Sequence, residues 1–192
     1  MNRVILLIVA VLTVCAARDA AAQGFINPFV LTTLSSPTST GSSTKPGFGV
    51  SFGGLGKVVG GETELAWIPQ LIDNSANAIA KNKVFSFSGD MLIGPMVGPV
   101  KPYFAIGAGS LHLNVTGLSS IAGVTPESIS NNYFTFNAGG GVIGFFTGHL
   151  GARGDLRYTR AIGFKITDLE NAGLSFDKFN YWRAGFGLVA KF

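Results

Sequence analysis

Two histidines, His112 and His149, are the first side chains in this sequence to consider for chemistry. Metal binding would require both imidazoles to converge with a carboxylate. Catalysis on a lipid would require a nucleophile beside a base, and the hydroxyl nearest to His112 is that of Ser110. The two histidines fall on different predicted strands, near opposite ends of the fold. We therefore predict polar or interfacial histidines, with no catalytic residue, no metal and no cofactor.

Two short motifs could suggest binding functions. The run at 139–144 matches G-x-G-x-x-G, but a dinucleotide site needs a helix directly after the glycines. Residues 145–148, Phe-Phe-Thr-Gly, do not begin a helix, so we interpret these glycines as places where backbones approach closely. Arg153-Gly154-Asp155 spells an integrin-type tripeptide, but it lies inside a predicted strand.

Charged residues at alternating positions form the strongest polar pattern. Residues two apart on a strand share a face, as Glu62 and Glu64 would. The charged residues that strand parity places on one inward face are Glu62, Glu64, Asp90, Arg153, Asp155, Arg157, Arg183 and Lys191. Enclosed charges are costly unless they are paired, so four acids and four bases predict an ion-pair network. Arg157 and Glu64 lie well inside their strands and are its preferred members; solvation of several of these groups at the wet ends is the alternative.

The elements that must position these charges are strands, as the last stretch shows most clearly. Between Tyr181 and Phe192 every even-numbered residue is apolar, whereas the odd-numbered ones are small, charged or amphipathic. A period of two predicts a strand with unlike faces. The aromatic residues at both ends favour an apolar face on lipid and a polar face in a lumen.

The composition agrees with strands in a membrane. Charged residues make up 12% of the chain, about half the usual share, and 27 of the 192 residues are glycine. The interior of the sequence has no apolar run of transmembrane-helix length. The remaining basic residues are dispersed, so we expect no nucleic-acid partner.

The first segment, residues 1–22, is predicted to be a cleaved signal peptide, and residues 23–192 the mature domain. Arg3 supplies the basic start, Val4 to Ala17 the apolar run, and the alanines at 20–22 a cleavage site before Gln23. Cleavage after Ala17 is the alternative. Cys15, the only cysteine, would leave with the signal, so the mature chain would hold no disulfide.

Eight strands are predicted in the mature chain. They cover Phe25 to Thr33, Phe48 to Gly53, a third around residues 62–67, Lys83 to Ile93, Val100 to about Val115, Tyr133 to Phe146, His149 to Thr159, and Tyr181 to Phe192. The facing of the first and fifth strands stays open, and a bulge near Gly109 would reconcile the two halves of the fifth. Long and short connections alternate, which predicts an all-β, eight-stranded antiparallel up-and-down transmembrane barrel.

The chain resembles the small eight-stranded outer-membrane barrels of the OmpA/OmpX and opacity-protein type. The stretches that carry the resemblance are residues 100–109, 136–141 and 151–158 together with the terminal Phe192. The resemblance implies a Gram-negative outer membrane, contact with its lipid, and insertion by the barrel-assembly machinery with Phe192 as part of the assembly signal. It implies no single activity.

From these observations we expect a non-enzymatic barrel with a structural or surface-interaction role through four extracellular loops. Its termini would be periplasmic and its lumen plugged by side chains, because eight strands enclose a space that side chains just fill. The alternatives are a small gated channel or carrier for a hydrophobic solute, an outer-membrane lipid-modifying enzyme, and a soluble lipocalin-like barrel. The loop ligand and the oligomeric state stay open.

Overall fold

A computed structural model describes residues 23–34, 44–69, 79–118, 129–162 and 180–192. They form eight strands: β1 (Gln23–Thr33), β2 (Pro46–Leu55), β3 (Val59–Pro69), β4 (Ile79–Ile93), β5 (Val100–Leu118), β6 (Ile129–Phe145), β7 (Leu150–Ile162) and β8 (Asn180–Lys191). Within the described ranges, no helix has the length and apolar character needed to cross a membrane.

Each strand pairs antiparallel with the next, and β8 pairs back onto β1, which closes the barrel. The predicted fold class is therefore confirmed. The short connections 56–58, 94–99 and 146–149 lie at the end where β1 begins and β8 finishes; in the middle one, Gly98 takes a φ of 60° that suits glycine. The predicted signal peptide and most of each predicted loop, at 35–43, 70–78, 119–128 and 163–179, lie outside the described residues.

The outer wall of the barrel is apolar, as the alternation predicted. Large apolar side chains point outward from every strand, for example Val30, Phe52, Trp67, Phe87, Ile106, Phe136, Leu156 and Phe186. The residues between them point inward and are buried or partly buried. An apolar outside with charges inside is the reverse of a soluble lipocalin-like barrel, so that alternative is wrong.

The predicted bulge near Gly109 is wrong. β5 keeps one unbroken register with both neighbours, through Ser88↔Gly109 on β4 and Gly109↔Thr135 on β6. The even-numbered residues of β5, such as Phe104, face outward along the whole strand. The odd-numbered Leu111 and Leu113 face inward and are buried. The prediction failed because it assumed a polar interior, and this part of the interior is apolar.

Several strands extend further than the alternating pattern suggested. The predicted starts at Lys83 and Tyr133 move to Ile79 in β4 and Ile129 in β6, and β5 continues to Leu118. Backbone pairing such as Ile79↔Leu118 carries the ladder past the end of the hydrophobic alternation. The pattern of side chains therefore marks the apolar band of the wall rather than the full length of its strands.

Pro28 lies at the seam that closes the barrel. Pairing between β1 and β8 covers Phe25 and Ile26, passes over Asn27 and Pro28, and resumes at Phe29. A proline has no backbone N–H to donate to the ladder, which explains a local gap. On its other side Pro28 keeps its place in the register, opposite Val50 of β2.

Candidate functional site

The interior of the barrel is layered along its axis. Near the short connections lies an apolar cluster of Phe25, Leu55, Leu92, Tyr103, Ala105, Ile143 and Val189, which we call the lower layer. Near the long connections lie other buried, mostly apolar residues, the upper layer, which includes Leu31, Ile68, Val84, Leu111, Leu113 and Tyr181. Between them lies a charge cluster of Glu62, Glu64, Asp90, Arg153, Asp155, Arg157 and Arg183.

Glu62 of β3 is the acid with the strongest contacts in the charge cluster. Arg153 of β7 donates from Nη1 to Glu62 Oε2 at 2.5 Å and from Nη2 to Glu62 Oε1 at 2.8 Å. Arg157 Nη2 also contacts Glu62 Oε1. Charge-assisted, two-pronged contacts of this kind are stronger and more directional than neutral hydrogen bonds.

Arg157 stands at the centre of the cluster and is fully buried. Besides Glu62, its Nη1 lies 2.9 Å from Asp90 Oδ2 and 3.6 Å from Glu64 Oε2. Asp90 receives two further hydrogen bonds, from Ser88 Oγ at 2.9 Å and from Asn137 Nδ2 at 2.7 Å. One guanidinium therefore links three carboxylates that come from two strands.

The three carboxylates of Glu62, Glu64 and Asp90 have oxygens within 4.8 Å of one another, a spacing that could suit a metal ion. Arg157 contacts all three of them. Together with Arg153 on Glu62 and Arg183 on Glu64, its guanidinium balances the three negative charges, and the arrangement is that of an ion-pair network.

Two further pairs extend the cluster toward the barrel wall. Arg183 Nη2 contacts Glu64 Oε1. Arg153 Nη2 lies 3.0 Å from Asp155 Oδ2, which also accepts a hydrogen bond of 3.0 Å from Tyr103 Oη. Tyr103 Oη in turn accepts one from Arg153 Nε at 2.7 Å.

The structure brings together seven of the eight residues that the sequence placed inward, but not Lys191. The Lys191 ammonium lies at the short-turn end, 4.5 Å from the centre of the Phe145 ring. The fourth cation fully inside the barrel is Lys101, which donates to the carbonyl oxygens of Gly94 at 2.6 Å and Gly56 at 3.0 Å. The sequence interpretation missed both Lys101 and Tyr103 because the facing of the fifth strand was left open. Had Leu111 and Leu113 been placed on the inward face, the same alternation would have placed Lys101 and Tyr103 there too.

Inward-facing glycines leave room for the charge cluster. A Cβ at Gly107 would collide with Asp90 Oδ1, and one at Gly139 would lie 2.9 Å from Arg157 Cγ as well as against backbone atoms. In the G-x-G-x-x-G run, Gly139 and Gly141 therefore lie where other atoms approach closely inside the barrel, as predicted, whereas a Cβ at Gly144 would meet no atom within 4 Å. The run lies within β6, with no helix after it in the described part of the chain.

The remaining candidate residues lie apart from one another. His112 is on the outward face of β5, where its Nδ1 is 2.8 Å from Asn132 Oδ1, and Ser110 shares that face. His149 lies in a short connection at the opposite end. Arg153 and Asp155 of the integrin-type tripeptide point into the barrel, and Arg153 is buried there, so this tripeptide is not displayed on the surface.

Residues 7–192 match the family model described as outer membrane protein beta-barrel domain. No curated protein matches the chain in sequence.

Several solved structures share the fold. Neisserial surface protein A superposes with a TM-score of 0.63 at 16% identity, covering 88% of this chain and 97% of that one. OprG of Pseudomonas aeruginosa gives 0.57 at 13% identity, with 90% and 97% coverage. Ail, the attachment invasion locus protein of Yersinia pestis, gives 0.52 at 13% identity, with 91% and 99% coverage. At these identities the likeness concerns the fold alone.

Proposed function

Because this chain belongs to the outer membrane protein beta-barrel family, we propose that it is a non-enzymatic outer-membrane barrel with a closed lumen. Its role is structural or interactive, through the four long connections between its strands. The observation that carries the proposal is the buried charge cluster, which lies between two apolar layers.

The energetics of the cluster support a closed interior. Arg157 and Glu62 are almost fully buried, so a partner that is removed leaves a charge with little access to water. A buried ion pair gains little over an apolar core of the same volume, but breaking one leaves an uncompensated charge. The cluster therefore holds one arrangement of side chains across the lumen, and the apolar layers above and below keep water from it.

The surface role rests on the connection lengths. The three connections at one end are short, whereas the long ones fall at the other end, where an outer-membrane barrel meets the cell exterior. On this basis the long connections are extracellular, and both ends of the barrel domain are periplasmic.

A liposome-swelling assay tests the closed lumen. Refolded protein in liposomes should give no swelling above empty liposomes with a small neutral sugar such as arabinose, whereas an open porin in parallel should swell them. Sugar-dependent swelling that scales with the amount of this protein would refute the closed lumen and favour the channel alternative.

Epitope insertion tests the orientation. A short epitope placed within residues 35–44 should be labelled by antibody on intact cells, since exposed loops tolerate added length. The same epitope at Gly94-Pro95, in a short connection, should be labelled only after the outer membrane is opened. Labelling of intact cells at Gly94-Pro95 would invert the proposed topology.

A further inference from the structure

A solvent-open hollow lies at the short-turn end of the barrel, separate from the charge cluster. It has a volume of about 530 Å³ and lies between the connections 94–99 and 146–149 and the end of β8. Its lining includes the apolar side chains of Met96, Phe145 and Phe146 and the polar ones of Gln23, Thr147 and Lys191.

The hollow ends at the lower layer. Phe145 lines the hollow and also packs against that layer, in which Leu92 and Ile143 are fully buried. A molecule that entered here would therefore meet an apolar floor and stay at the mouth of the barrel. The hollow suits binding rather than passage.

The charges around the hollow favour an anion. Within the described residues all four acidic side chains, Glu62, Glu64, Asp90 and Asp155, belong to the charge cluster. The charged side chains of the short-turn end, Lys57, Lys101 and Lys191, are cations, of which Lys101 is buried and bound to backbone carbonyl oxygens. Of these Lys191 lines the hollow, with its ammonium above the Phe145 ring, where it can contact an anion beside an apolar surface.

Thr147 supplies a second donor. Its Oγ1 accepts hydrogen bonds from the backbone N–H groups of Leu150 at 2.8 Å and His149 at 3.2 Å. These two bonds occupy the acceptor sites of the hydroxyl, so its hydrogen is left to donate. Thr147 and Lys191 thus present a donor and a charge to the same space that Met96 and Phe146 line with apolar surface.

We propose that this hollow binds a single-chain amphiphile with a monoanionic headgroup, of the fatty-acid class. The carboxylate contacts Lys191 and Thr147, and the alkyl chain lies against Met96 and Phe146. One lysine matches one negative charge, and the polar and apolar walls match the two ends of such a molecule. This site goes beyond the proposed function.

Methionine-methyl NMR tests the site, because the chain carries its own internal control. Met96 lines the hollow, whereas Met91 points outward from β4 into the lipid, and Met91→Leu and Met96→Leu variants assign the two signals. The protein is refolded in nanodiscs of zwitterionic phospholipid and titrated with dodecanoate and, separately, with dodecanol. We expect a saturable shift of the Met96 methyl with dodecanoate, about tenfold weaker binding of dodecanol, and no saturable shift of Met91.

Matched variants identify the residues responsible. Lys191→Gln should weaken dodecanoate binding about tenfold, whereas Lys57→Gln, at the same end but outside the lining, should leave it unchanged. If Lys191→Gln fails to refold, Thr147→Val takes its place and should also weaken dodecanoate binding. A Met96 shift that does not saturate would overturn the proposal. So would a shift that Lys191→Gln leaves as strong as Lys57→Gln does. If anionic phospholipid in the nanodisc competes dodecanoate away, the occupant is a bilayer lipid and the fatty-acid assignment is wrong.

Discussion

Glu62 and Arg153 lie on opposite sides of the barrel and form a two-pronged ion pair across its interior, at 2.5 and 2.8 Å. They are 91 residues apart in sequence and belong to β3 and β7, strands that are not neighbours in the sheet. The pair therefore links two strands that share no backbone hydrogen bonds with each other. A double-mutant cycle of Glu62→Gln and Arg153→Met, read by urea unfolding in lipid vesicles, should give a coupling energy of about 0.5–3 kcal/mol. Additive effects of the two changes would show that the contact does not couple the walls.

Removal of Arg157 should be among the most destabilising single changes in the cluster. Arg157→Ala leaves Glu62, Asp90 and Glu64 short of their shared partner, and should lower the free energy of unfolding by about 3–5 kcal/mol. Arg160→Ala is the matched control, because Arg160 is on the same strand with its side chain exposed, and should cost about 0.5 kcal/mol or less. Equal losses for both arginines in vesicle unfolding would argue against a stabilising network.

Two glycines on the neighbouring strands β5 and β4, Gly107 and Gly89, test how tightly the side chains of the charge cluster are packed. Gly107→Ala places a methyl group against Asp90 Oδ1 and the Gly89 carbonyl, and should cost about 1–3 kcal/mol. At Gly89 an added Cβ meets no atom within 4 Å, so Gly89→Ala should be neutral or slightly stabilising. Vesicle unfolding compares the two, and the opposite order would mean that the interior is looser than described.

A charge on the outer wall should be costly near the middle of a strand. Leu156 points outward at the centre of β7, and Leu156→Arg should cost about 2–4 kcal/mol in folding titrations with lipid vesicles. Ile162→Arg, outward-facing at the end of the same strand, should cost about 0–1 kcal/mol. At Phe136 the cost should be smaller than at Leu156, because the exposed Arg160 of β7 already lies opposite it. A cost at Ile162 as large as that at Leu156 would place the apolar band elsewhere.

The sequence predicted the barrel well because its signal is local. Alternation around residues such as Phe85 and Phe87 or Trp182 and Phe186 fixes which side faces lipid, and the spacing of short connections fixes an up-and-down order. Parity alone also placed Arg153, Arg157 and Glu62 on the inward face. It could not assign partners, because the contact of Glu62 with Arg153 depends on the stagger of strands around the barrel, which no local pattern records.

The errors have one physical source. The interior was treated as polar throughout, so the inward leucines of β5 led to a false bulge, and Lys191 was counted with the charges in the centre. In the structure, apolar layers occupy both ends of the interior, and the short-turn end holds Lys101 against backbone carbonyl groups instead. Amphipathic alternation reports the lipid face reliably, but it says little about how the inward side chains are distributed along the axis.

Single-channel recording in a planar bilayer tests the closed lumen most directly. The refolded parent protein should show no stable unitary current, because the charge cluster and the two apolar layers fill the space through which ions would pass. Arg157→Ala, which removes the central guanidinium but leaves both apolar layers in place, should show none either. A stable, reproducible conductance of the parent protein would contradict the account.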